Sequence, residues 1–216
     1  MNTSEKILEI AELAYKDFEA RTSARDTALT LARELTRHAA NSIRAIHRNE
    51  NELAHHHLNQ AKLIVEKLQN GLSEFPDLYY AGYTQDAIKE FCEASLTCAL
   101  IEGEMIPTPE ELKIPYATYL RGMAETPGEL RRRCMDILRM GYSDDAEKLL
   151  SLMDDIYSIM ITMDYPDAVT NGLRRQTDLL RGIVERTRAD LTLSLREEKL
   201  KTMLQSAVDT FSEKRS

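Results

Sequence analysis

Apolar residues recur at helical spacing along most of the chain, interrupted by a few short polar or proline-containing junctions, and no internal repeat is evident. The pattern predicts about seven helices. Residues 4 to 48 form one long helix, or two with a break near Thr22 and Ser23, and about 51 to 72 form the next, ending at Asn70-Gly71. Phe75, Pro76 and Asp77 read as a connector. A third helix is expected over about 78 to 103, stopping at Gly103. A short one then opens at Thr108, with Pro109 as its first residue and Glu111 as the reciprocal partner of a capping box. Another long helix covers about 116 to 140, and Ser143 caps the next through about 163. Pro166 opens a final helix of more than 25 residues, with fraying expected past Leu204. The connections are short, so sequential helices should pack antiparallel.

Composition supports an all-α protein: 8 Gly, 6 Pro and no Trp among 216 residues, with too few β-branched and aromatic residues to fill strands. The length fits a single domain over residues 1–216, or an elongated bundle that completes its burial by oligomerising. Cys92, Cys98 and Cys134 are an odd number at no metal-ligand spacing, which fits buried thiols in a reducing compartment. The N-terminus lacks the basic and apolar regions of a signal peptide, and no apolar run approaches the roughly 20 residues needed to span a bilayer. A soluble, cytoplasmic protein with no membrane partner is expected.

The formal charge of -8 argues against a surface that coats nucleic acid throughout. Its distribution is uneven. From Arg21 to Arg48 the six arginines at 21, 25, 33, 37, 44 and 48 face only Asp26 and Glu34, so that segment is locally about +4. Arg33, Arg37, Arg44 and Arg48, spaced by 4, 7 and 4, line one side of a helix. Such a stripe can follow a phosphate backbone, or it can supply counter-charges or subunit bridges.

Two glutamate pairs stand out. Residues 87 to 101, AIKEFCEASLTCALI, are apolar or small almost all round, and their only charges are Lys89, Glu90 and Glu93. Adjacent carboxylates on a buried helix share a proton, pair with cations, or bind a metal. Glu90 has no basic residue three or four positions away, and Glu93 has only Lys89. The second pair, Glu125 and Glu129, lies one turn apart around Pro127-Gly128. An internal proline costs a helix about 3 kcal/mol, accepted here where two carboxylates converge. Ordinary ion pairs with Arg121, Arg132 or Arg133 are the alternative for that pair. Together the four glutamates could supply the oxygen ligands that Mg2+ or Mn2+ prefers. A ferritin-like di-iron centre would need Glu-x-x-His twice, whereas Glu52-x-x-His55 occurs once, in a histidine run read as a solvated face. A Gly-rich phosphate loop, a zinc finger and a Ser-His-Asp pattern are all missing from the chain.

The segments SIRAIHRNE at 42 to 50, KEFCEA at 89 to 94, YLRGMAETPGELRRR at 119 to 133 and LRRQTDLLRGIVERTRADL at 173 to 191 together resemble the translin superfamily across essentially the whole chain. Within it, the Glu-aromatic-x-Glu-Ala pattern is similar to the catalytic type, translin-associated factor X. The resemblance implies about seven helices, a closed homo-oligomer such as a hexamer or octamer, and RNA bound inside it. It also implies a nuclease site whose two glutamates correspond to Glu90 and Glu93, and whose later Asp and Glu correspond to Glu125 and Glu129. Position 125 departs from the pattern, carrying Glu for Asp. The expected function is a Mg2+- or Mn2+-dependent endoribonuclease acting on single-stranded RNA, with single-stranded DNA as a second ligand and Arg33, Arg37, Arg44 and Arg48 as backbone contacts. The alternatives are a non-catalytic nucleic-acid scaffold and a helical assembly protein.

Overall fold

A computed structural model describes residues 2–213, and among these there are nine helices and no strand. The all-α expectation therefore holds. The chain divides into two compact units, one ending at Ser95 and the other beginning at Leu96.

The first unit is built on α1 (Thr3–His47), α2 (Asn51–Gly71), the one-turn α3 (Pro76–Tyr79) and the leading part of α4 (Gly82–Glu102). No break occurs at Thr22-Ser23. The hydroxyls of Thr27 and Thr30 donate to the carbonyls of Ser23 and Asp26 one turn back, a bond that threonine can make within a helix. Asn49, at φ 59°, turns the chain between α1 and α2. The Ser42 hydroxyl donates to the Ala54 carbonyl and His38 meets His57, so residue numbers run in opposite directions and the two helices are antiparallel. On α4, Ala94 packs with Ala39 and Ile43 of α1, while Tyr83 and Ala87 lie against Leu29 and Ala32. Those numbers rise together, so α4 runs parallel to α1.

In this unit the expected start of the third helix differs. The helix foreseen from about 78 is two, because α3 ends at Tyr79 and α4 starts at Gly82. Side chains at the start of α4 close the junction: Thr84 donates to the Leu78 carbonyl and Gln85 to the Tyr79 carbonyl, at 2.9 and 2.8 Å. They satisfy backbone acceptors that a continuous helix would have bonded itself.

The second unit contains α5 (Pro109–Leu112), α6 (Tyr116–Leu138), α7 (Asp144–Met160), α8 (Asp167–Thr170) and α9 (Leu173–Glu213). The Thr108 capping box forms as expected, and Ser143 caps α7 by accepting from the Asp145 amide. The final helix does not begin at Pro166. A single turn, α8, is followed by Asn171 and Gly172 at φ 52° and 84°, left-handed positions that stop a helix, and α9 starts afresh at Leu173. It then continues through Glu213, past the fraying expected at Leu204.

Helices α6, α7 and α9 enclose the core of this unit, where Leu130, Met153, Leu180 and Leu191 are fully buried. Arg131 of α6 ties to α9 through Asp190 at 2.8 Å and the Thr187 hydroxyl at 3.1 Å. Arg188 of α9 pairs with Asp154 of α7. Burial pushes the Cys134 thiol up to about 11, and Cys92 is raised for the same cause, so both stay protonated as expected of core cysteines.

Among the exposed large apolar side chains, two groups are close in sequence: Ile7, Leu8, Ile10, Leu13 and Phe18 early in α1, and Leu200, Met203, Leu204, Val208 and Phe211 late in α9. Among the described residues, no helix is long and apolar enough to cross a membrane.

Candidate functional site

In the unit ending at Ser95, Glu90 and Glu93 are neighbours on α4 because residues three apart share a helical face. Both are half-buried, and each offers a carboxylate oxygen within 4.8 Å of the other's. The residues around them are packed, with Phe91, Cys92 and Ala94 at 2% exposure or less. Lys89 Nζ lies 3.1 Å from Glu90 Oε1. A long lysine arm thus reaches its immediate neighbour, outside the turn spacing. Counting Asp86, Lys89, Glu90 and Glu93, three negative charges against one positive leave this stretch at -2. An all-oxygen, net-negative donor set suits a hard divalent cation and offers nothing to a thiolate-seeking metal.

In the unit beginning at Leu96, α6 carries Glu125 and Glu129, both half-buried and one turn apart. The helix runs unbroken through Pro127 even though proline has no N–H to give the Met123 carbonyl. Glu125 Oε1 accepts a hydrogen bond from Gln176 Nε2 of α9 at 2.7 Å. Glu129 lies 3.7 Å from Arg132, in line with the local ion pair weighed from the spacing. Half-exposed pairs of this length are weak, so Arg132 costs little to displace.

The arginine stripe occupies one exposed side of α1. At 100° per residue, Arg33, Arg37, Arg44 and Arg48 fall within about 60° of arc. All four are exposed. Arg37 leans on Glu34 at 3.6 Å, and Arg48 makes two bonds to Glu50, at 3.0 and 2.7 Å, which hold the guanidinium pKa above and the carboxyl pKa below their ordinary values. Arg33 borders a groove between α1 and α4 that Glu90 also lines.

The histidine run is only partly the solvated face expected. His55 and His56 are exposed, whereas His57 is half-buried with its Nδ1 3.0 Å from Nδ1 of His38. Two facing Nδ1 atoms need one donor and one acceptor, so they cannot both carry a proton. Burial, then His38, His56 and Arg44, lowers the His57 pKa.

Two residues, one in each unit, escape sequence reasoning. Gln176 holds Glu125 from 51 positions away in the chain. Tyr83 lines the α1/α4 groove and carries a buried hydroxyl with no hydrogen-bond partner among the described residues.

No family model matches the chain. An uncharacterized protein of Methanocaldococcus jannaschii is 34% identical over 194 residues, which is 89% of this chain and 83% of that protein. Among solved structures, AfC3PO in complex with duplex RNA is similar at a TM-score of 0.80 and 32% identity, over 87% of this chain and 97% of that one. NeC3PO without ligand, at 18% identity and a TM-score of 0.76, shares the fold. These matches define an all-helical protein of the C3PO type. The chain belongs to the translin superfamily.

Proposed function

We propose that the chain is a divalent-metal-dependent endoribonuclease in which Glu90, Glu93, Glu125 and Glu129 together hold Mg2+ or Mn2+. The observation that carries this reading is the half-buried Glu90/Glu93 pair, with oxygens within 4.8 Å on a helix otherwise given over to packing. Two carboxylates so close repel each other in a medium less polar than water, and a hard cation relieves that repulsion. When bound, the ion supplies water activation and neutralises charge that develops on the phosphodiester. The side chains do the positioning. Glu90 and Glu93 would present oxygens from one turn of α4, Gln176 donates to one oxygen of Glu125 and so helps to orient it, and the Arg132 contact to Glu129 is weak enough to yield to a cation.

The exposed arginine stripe supports backbone contact with nucleic acid. Single-stranded RNA is the proposed substrate and single-stranded DNA a second ligand, on the family resemblance. The duplex RNA bound to AfC3PO carries the same phosphate backbone, so strand preference is read by comparing the two forms. The exposed apolar side chains early in α1 and late in α9 support a homo-oligomer, a hexamer or octamer by family resemblance.

The test is cleavage of labelled single-stranded RNA in Mg2+ by the parent and by Glu129→Ala. The variant is expected to lose most activity while still binding RNA; equal rates would sink the assignment. A second reading, a non-catalytic scaffold, draws on the extra methylene that Glu125 has over the family's Asp. It predicts salt-sensitive RNA binding with no metal-stimulated cutting.

A further inference from the structure

The groove between α1 and α4 has a volume of ≈ 490 Å³, within the range of small-molecule sites. Leu29, Ala32 and Ala87 give it an apolar lining, and Arg33, Tyr83 and Glu90 give it chemistry. Tyr83 and Glu90 sit two turns apart on one face of α4, about 10 Å along the axis. The Tyr83 side chain is half-buried, so packing restrains its ring, while its hydroxyl makes no bond to the protein among the described residues. Tyr83 thus adds an aromatic side chain to the groove lining. Arg33 is exposed at the same groove.

We infer that this groove is a nucleotide subsite, in which one base of the RNA strand stacks on Tyr83 and the adjoining phosphate is held by Arg33 next to Glu90. The inference rests on the reading of Glu90 as part of the metal-dependent nuclease site. Base stacking on an aromatic ring accepts any base, as suits a nuclease without a sequence-reading motif. Asp86, which also lines the groove, and Glu90 would repel a bare phosphate, so the nucleotide enters with its divalent cation.

The probes are AMP and ribose 5-phosphate, which share the phosphate and sugar and differ in the base. Each is titrated calorimetrically with Mg2+ into the intact protein and into Tyr83→Phe and Tyr83→Leu. On the parent and on Tyr83→Phe, AMP is expected to bind about tenfold more tightly than ribose 5-phosphate, because stacking survives loss of the hydroxyl. On Tyr83→Leu, which preserves apolar bulk, that preference should disappear. Equal or undetectable binding of the two probes to the parent, or an unchanged preference in Tyr83→Leu, overturns the subsite. RNA cleavage by the same proteins separates the two claims. A parent that cuts RNA with metal but shows no base preference loses the subsite alone; one that prefers AMP through Tyr83 but never cuts loses the nuclease reading alone.

Discussion

Replacing Gln176 by leucine should damage function while leaving stability almost unchanged. The amide Nε2 donates to Glu125 Oε1 at 2.7 Å from another helix, a hydrogen bond to a charged acceptor worth about 1.5–3 kcal/mol. Against that loss stands a gain, since the Gln176 Oε1 atom is buried with no partner among the described residues and costs about 1–3 kcal/mol in its present place. Leucine removes both groups at similar volume, so the two terms nearly cancel in folding. They do not cancel at the site. Without the Gln176 donor the Glu125 carboxylate is held less firmly, and loss of such an outer partner commonly weakens a metal site by about 10–100-fold. The assay is the Mg2+ concentration for half-maximal RNA cleavage, measured beside a denaturant melt. A rise of at least about tenfold with a midpoint close to the parent's is expected. A half-saturation within about twofold of the parent, in a protein that still cuts, would refute the positioning role.

Three further outcomes follow from the same structure. Leu130→Ala opens a cavity at a fully buried position between α6 and its partners and should cost about 2–5 kcal/mol in a urea melt. Glu125→Asp restores the family's shorter arm and should cut RNA at least as fast as the parent; a severe loss would show that this chain has built its site around the longer side chain. His57 has a folded-state pKa lowered below its ordinary value near 6.5, so the folded protein binds fewer protons there than the unfolded chain. Its contribution is present above that value and is lost as pH falls through the folded pKa. The Tm should therefore drop from pH 7 to pH 5, and His57→Gln should show a smaller drop.

Local signals were the most legible part of this fold. The Thr108 capping box and the Ser143 cap depend on residues within one turn, and both formed where expected. The break between α3 and α4 was hidden because helical periodicity continues across Tyr80 and Ala81, and the bonds that close it come from Thr84 and Gln85 beyond the break. At 171–172 the Asn-Gly stop was present in the sequence, but Pro166 offered an earlier start that became only the one-turn α8. For the site, periodicity was enough to place Glu90 with Glu93 and Glu125 with Glu129, each pair on one helix. It also placed Arg132 beside Glu129, but it did not find every partner. Lys89 reaches Glu90 from the next position, outside the turn-spacing rule, and Gln176 reaches Glu125 by tertiary packing of α6 on α9. The His38–His57 contact was missed for the same reason, since it depends on α1 and α2 lying side by side.

The central claim is that the half-buried Glu90/Glu93 pair belongs to a metal-dependent nuclease site, and one comparison tests it most directly. Labelled single-stranded RNA is incubated with the parent and with the Glu90→Ala/Glu93→Ala double variant, in Mg2+, in Mn2+ and in chelator, with both proteins shown to be folded and equally assembled. Cutting by the parent that requires metal and is abolished in the double variant is the predicted result. Metal-dependent cutting that persists at the parent's rate in the double variant, or a folded parent that binds RNA and never cuts it, would contradict the claim.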